Sequence, residues 1–312
     1  MPVKAETLEI FNTTLNEFIE RVKQDTNIIA AILFGSLVSS SVWEESDIDL
    51  LLISKDASRP YKLFWLADGD ILIQAGIESR QYFRQSVERA LASSHLFHIL
   101  STGKILFSKD ETLTKYIENS HKIGERDKKI QLMQLAMFIP GDLSKVKKSL
   151  VVYDDYLMAF RFLMHAIENV ARVDLVLNDR IPGREFLQQA LDCNPTLFKT
   201  IYSDLLIGGV TRESVEKAYQ IIKDYLQEKT LDLFSPMLDF ISEEGGHVGS
   251  TLVDDHFKKR FRMSSDATMI TILEWLADQG VIQRMPKAIH LTSRSREPEM
   301  EAAYYYSEDE LL

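Results

Sequence analysis

Ile28 to Ser54 reads IIAAILFGSLVSSSVWEESDIDLLLIS. Its first seven residues form an apolar run of strand length, and Gly35-Ser36 closes it. A run this apolar suits a strand buried on both faces. After ten residues beyond Ser36 come Asp47-Ile48-Asp49, followed by Leu50, Leu51, Leu52 and Ile53. The pattern predicts strand, tight turn, short helix, strand. Residues two apart in a strand point to one face, which sets Asp47 and Asp49 side by side. Two neighbouring carboxylates repel unless a cation sits between them, and a hard divalent cation is the usual answer. A glycine lets backbone approach a phosphate closely, and a serine hydroxyl with turn amides can hold phosphate oxygens. Mg²⁺ held by one or two carboxylates bridges substrate phosphates. The stretch therefore predicts a nucleoside-triphosphate site, with Gly35 and Ser36 on the phosphates and Asp47 and Asp49 on the metal.

Gly35-Ser36, the ten-residue gap and Asp47-Ile48-Asp49 between apolar flanks together resemble the DNA polymerase β-like nucleotidyltransferase superfamily. Within it the chain is most similar to the small bacterial aminoglycoside and minimal nucleotidyltransferases. The resemblance covers roughly residues 1–120. It implies an α+β nucleotidyltransferase domain, a small mixed sheet with flanking helices. It also implies one or two Mg²⁺ ions and transfer of a nucleoside monophosphate from a triphosphate, ATP first among them. The receiving hydroxyl would belong to a small molecule or a partner protein. In the family a third strand brings a third carboxylate beside the first two, as ligand for a second metal or as base. Here Ile71 to Ile77 reads as that strand, and the matching position is Gln74. An amide is a poorer Mg²⁺ ligand than a carboxylate and takes up no proton at neutral pH. Gln74 is accordingly carried as a nucleotide-site residue. Glu78, four residues on along the same strand face, and Asp70, four before, are the candidate substitutes, with Glu78 carried as the catalytic one. Glu78 equally reads as an acid at the start of the next helix, and that is its preferred reading.

Composition narrows the rest. The chain has 312 residues, 45% apolar and 27% charged, the make-up of a globular protein of two or three domains. No apolar run approaches the ~20 residues of a membrane-spanning helix, and the N-terminus lacks the basic-then-apolar pattern of a signal peptide. Cys193 is the one cysteine, which excludes an internal disulfide and a cysteine-based metal site and fits a cytoplasmic protein. A net charge of −11 argues against broad nucleic-acid binding, which rests on Lys and Arg.

Three domains are expected, 1–122, 123–230 and 231–312. Leu8, Phe11, Leu15, Phe18, Ile19 and Val22 mark an amphipathic helix before the first strand. Residues 55–70 read as a connection whose Phe64, Trp65 and Leu66 belong to the core. His95 and His98 read as ordinary helix residues. The second domain reads as an all-helical, acceptor-side bundle, with its strongest helix over Val151 to Val173 and another over Thr211 to Gln227. Arg161, His165 and Glu168 share one face of the first of these, in the manner of an intrahelical ion-pair row. Glu168 and Asp155 are its candidate bases. The third domain, with helices near 231–244, 251–261 and 265–279 and strands near 281–292 and 302–306, resembles a winged helix-turn-helix. It holds 8 basic and 15 acidic residues, with no Lys or Arg from Met263 to Gln283. A reading helix without cations contacts phosphates and guanines poorly, so DNA is not the favoured partner. Protein association, a homodimer included, is the reading preferred for this domain. The alternative for the whole chain is a catalytically degenerate nucleotidyltransferase fold. It would act as a regulator that senses nucleotide, or binds DNA or protein, through the third domain.

Overall fold

The computed structural model describes residues 5–38, 42–56, 61–89, 95–119, 125–261, 269–292, 294 and 296–307. These form two compact units, residues 1–124 and 125–312. Among them no helix is long and apolar enough to cross a membrane.

The first unit is built on a five-stranded sheet. Helix α1 (Ala5–Gln24) buries Phe11, Leu15 and Ile19, one stripe of a 3.6-residue repeat. Strand β1 (Ile28–Phe34) is buried at every position, as is β2 (Ile48–Ser54). Between them lies a 3₁₀ turn, Gly35–Leu37, where a short helix was expected. Then follow β3 (Lys62–Asp68), β4 (Ile71–Ser79), α2 (Arg80–Arg89), α3 (His95–Thr102), β5 (Lys104–Ser108) and α4 (Glu111–Asn119). The strand order is β3-β4-β2-β1-β5, with β2 and β4 parallel and the other pairs antiparallel. Strand alternation divides the apolar side chains between two cores. Leu50 and Leu52 pack with Leu15 and Ile19 of α1 on one face. Leu51 and Ile53 pack with Phe83, Ile99 and Leu113 on the other. Each such burial contributes roughly 1.5–3 kcal/mol.

Strand β3 is a departure from the expected connection. It forms a hairpin with β4 across Gly69, whose φ of +60° suits a tight turn. Its residues alternate between the core and solvent. Leu66 packs against the α1-side core, while Trp65 points the other way and is 60% exposed. The expectation that Trp65 is a core residue fails because β3 is the edge strand and only one of its faces is covered.

The second unit begins with α5 (Glu125–Ala136), α6 (Ile139–Val151) and α7 (Tyr156–Leu177). The helix expected from Val151 starts at Tyr156 instead. Asp154 has a φ of +52°, and the Asp155 carboxylate accepts from the Met158 N–H at 2.8 Å as an N-cap. Helix α8 (Phe186–Cys193) and the short α9 (Pro195–Phe198) and α10 (Asp204–Ile207) follow, the last two joined by a π-turn. Helix α11 then runs unbroken from Arg212 to Glu244, through the position expected to divide two domains. Thr211 and Ser214 form its capping box. Pro236 removes one backbone donor inside it, and the Ser235 hydroxyl donates instead to the Asp232 carbonyl at 3.4 Å.

Strand β6 (Val248–Gly249), α12 (Ser250–Phe261), α13 (Ile270–Asp278), β7 (Gln283–Ile289) and β8 (Glu299–Tyr305) complete the unit. The sheet order is β6-β8-β7. The two strand pieces expected over 281–292 are one strand. It tolerates Pro286 because it lies at the sheet edge. Phe234, Leu238 and Ile241 of α11 share one continuous core with Phe257, Leu273 and Tyr304. That shared core explains why α11 does not end near residue 230.

Candidate active site

Two central strands position the predicted site. Phe34, the last residue of β1, pairs with Asp49 of β2. The chain then turns at Gly35 with a φ of +78°. A Cβ placed on Gly35 would stand 2.0 Å from the Asp49 Oδ2. The Asp49 carboxylate therefore occupies the space that a side chain at residue 35 would need. Asp49 is buried at 5% exposure; Asp47, just ahead of the strand, is half-buried. Ser36 follows within the 3₁₀ turn. The structure thus brings Gly35 and Asp49 into contact, with Ser36 and Asp47 adjoining them in the chain.

On the other side of β2, Asp49 pairs in register with Gln74 of β4, and Gln74 with Trp65 of β3. Partners in register share a face, so Asp49, Gln74 and Trp65 form one row across the sheet. Gln74 occupies the place beside Asp49. Glu78 does not. It lies four residues along β4, about 13 Å at strand rise, and its partner is Ile53. Its side chain is 3% exposed, and burial pushes its pKa up to about 7. The role of an acid at the next helix start falls to its neighbour, since the Ser79 hydroxyl accepts from the Tyr82 N–H at 3.2 Å. Asp70 is exposed in the hairpin turn. Among the described residues, no group of three or more acids, histidines or cysteines is arranged to hold a metal ion. The donor set offered to a cation is therefore the Asp47 and Asp49 pair. Carboxylate oxygens are the hard donors that suit Mg²⁺.

The sequence did not anticipate the surface that continues this row. Leu63 and Trp65 of β3 and Leu72 of β4 lie on the Gln74 face, 37%, 60% and 50% exposed. Tyr61 lies against Gly76, where a Cβ would stand 2.8 Å from its ring. Burial and the nearby Glu78 raise the Tyr61 pKa. The signal was present in the alternation of Leu63, Trp65 and Ala67 with Phe64, Leu66 and Asp68.

The second unit holds another ordered pair. Asp142 of α6 is buried, and its Oδ2 lies 2.6 Å from Nδ1 of the half-exposed His165 of α7. Burial raises the Asp142 pKa, with the His165 hydrogen bond and charge pulling the other way. His165 is thus bonded between helices, not along its own. Glu168 pairs at 3.6 Å with Arg172, and Asp155 is spent as a helix cap. The side chains of His95 and His98 lie outside the described residues.

A mixed sheet with a glycine turn after one central strand and an aspartate pair at the start of the next is the arrangement expected of a nucleotidyltransferase domain. Residues 16–112 match the family described as "Polymerase beta, Nucleotidyltransferase". Chain-wide similarity extends to the "Uncharacterized protein YgxA" of Bacillus subtilis (strain 168). It is 21% identical over 276 residues, 84% of this chain and 87% of the relative. A "Putative protein adenylyltransferase" of Methanocaldococcus jannaschii is 28% identical over 130 residues, 39% of this chain and 88% of the relative. The crystal structure of a nucleotidyltransferase-like protein from Exiguobacterium sibiricum 255-15 superposes with a TM-score of 0.64 at 15% identity. It covers 95% of this chain and 99% of the other, so the fold is shared along the length.

Proposed function

We propose that the protein transfers a nucleoside monophosphate from a triphosphate, ATP in the first instance, to a hydroxyl group. The observation that carries this reading is the Asp49 carboxylate seated on Gly35, with Asp47 two residues before it. The amides of the Gly35–Leu37 turn and the Ser36 hydroxyl grip the β- and γ-phosphate oxygens. Asp47 and Asp49 would hold Mg²⁺, which when bound would offset the charge developing on the phosphates. Asp49 is fixed by its burial between β1 and β4, so the α-phosphate is presented in one orientation. The similarity to the archaeal "Putative protein adenylyltransferase" supports ATP as donor.

Calorimetry of ATP, CTP, GTP and UTP, with and without Mg²⁺, on the wild type and Asp49→Asn tests the reading. Mg²⁺-dependent binding of at least one nucleotide, weakened tenfold or more in the variant, is the expected result. Binding unchanged in Asp49→Asn would sink it.

A second reading concerns the C-terminal elements. The β6-α12-α13-β7-β8 succession, with its β6-β8-β7 sheet, supports a winged-helix module. It serves protein association better than DNA. Lys258 pairs with Asp254, Lys259 with Asp255 and Arg284 with Glu274, and α13 carries no cation.

A further inference from the structure

Beyond Gln74, the row that starts at Asp49 leads onto exposed apolar side chains. Trp65, Leu63 and Leu72 are exposed there, and the Tyr61 ring lies on the same side at Gly76. At about 4.8 Å per strand, Trp65 stands about 10 Å from Asp49, a spacing that one aromatic ring and its substituent span. The patch comprises a few side chains on two strands.

Its position relative to the phosphate turn assigns it to one substrate. Gly35 and Ser36 lie beyond β1 on one side of Asp49, and Gln74 and Trp65 lie on the other. In-line displacement puts the leaving pyrophosphate and the attacking oxygen on opposite sides of the α-phosphorus. With pyrophosphate at the turn, the attacking hydroxyl comes from the β4–β3 side. The residue at that place is Gln74, and an amide accepts no proton at neutral pH. An acceptor at this site must therefore give up its proton without a carboxylate at the Gln74 position. An aliphatic hydroxyl is a poor candidate. A phenol, with a pKa near 10, is about 1% ionised at pH 8 without help.

Two independent features, an aromatic and aliphatic platform and a missing base, point to the same chemistry. We propose that the acceptor is a low-molecular-weight phenol, its ring on Trp65 and its hydroxyl beside Gln74. This rests on the nucleotidyl-transfer reading. The phenol's proton passes to water and its oxygen bonds to the α-phosphorus. The bond from that phosphorus to the bridging α–β oxygen breaks, and pyrophosphate leaves with the electron pair. The product is an aryl ester of the nucleotide. Stacking on an exposed tryptophan contributes roughly 0.5–1.5 kcal/mol, up to about tenfold in affinity.

The test uses the full chain, ATP and Mg²⁺ with three probes: p-cresol, cyclohexanemethanol and kanamycin. Tryptophan fluorescence gives a readout that does not depend on turnover. Saturable quenching by p-cresol is expected, and Trp65→Phe should lose it. Trp65→Ala should raise the p-cresol KM about tenfold and leave the ATP KM within twofold. Transfer at pH 8 should be faster to 4-nitrophenol than to p-cresol. Gln74→Asp should extend transfer to cyclohexanemethanol. Equal or better use of cyclohexanemethanol or kanamycin by the wild type would overturn the proposal. So would modification of tyrosines in added proteins when p-cresol neither quenches nor reacts. Quenching absent while ATP binds overturns the acceptor assignment alone. Quenching present while no nucleotide binds overturns the transfer reading and the acceptor role with it.

Discussion

At the scale of single residues, Gly35 is the most constrained position in the first unit. Its positive φ and the Asp49 oxygen in the place of a Cβ act together. Gly35→Ala should cost about 2 kcal/mol or more in a urea titration and displace Asp49, abolishing Mg²⁺-dependent nucleotide binding by calorimetry. Glu78 supplies a pH signature. Burial raises its folded pKa to about 7, above that of an exposed glutamate, so the folded state holds the proton longer. Stability is then greatest below the unfolded pKa of about 4.5 and falls as pH rises toward 7, by about 3 kcal/mol for this group. Glu78→Gln keeps the shape without the charge. Its urea midpoint should exceed that of wild type at pH 8 and match it near pH 4.5. The glycine turn and the aspartate pair were legible in the sequence because they are local and regularly spaced. The row from Asp49 through Gln74 to Trp65 was legible only in part. Gln74 follows from strand position, but the pairing of Trp65 with it depends on a hairpin register that sequence alone does not set. The partner of His165 was invisible for the same reason, since Asp142 lies 23 residues away on another helix.

At the scale of elements, strands buried on both faces announced themselves and the edge strand did not. β1 and β2 are continuous apolar runs. β3 shows the weaker alternation of a half-covered strand, and its hairpin turn was absorbed into an expected loop. The start of α7 was misplaced because Val151 to Tyr153 continue the helical spacing of apolar residues, while the local hydrogen bond of Asp155 ends it. Asp155→Ala should therefore cost about 1 kcal/mol of stability by chemical denaturation while leaving nucleotidyl transfer at the wild-type rate. A loss of transfer with unchanged stability would instead make Asp155 a base.

At the scale of the whole molecule, charge decides what the C-terminal elements can bind. The chain carries −11, and the described cations of α12 are engaged by acids one turn away. Gel shifts with random-sequence duplex DNA at about 50 mM salt should show no complex at micromolar protein. A salt-sensitive shift would overturn that expectation. The continuity of α11 has a mechanical consequence. Thirty-three residues at helical rise make a beam about 50 Å long. One end is bolted into the core under β8 through Phe234 and Ile241. At the other, Arg212 is pinned to Asp154 and donates to the Leu150 carbonyl at 2.9 Å. The two corners that α11 joins, the terminal sheet and the turn between α6 and α7, are therefore tied to one continuous helix.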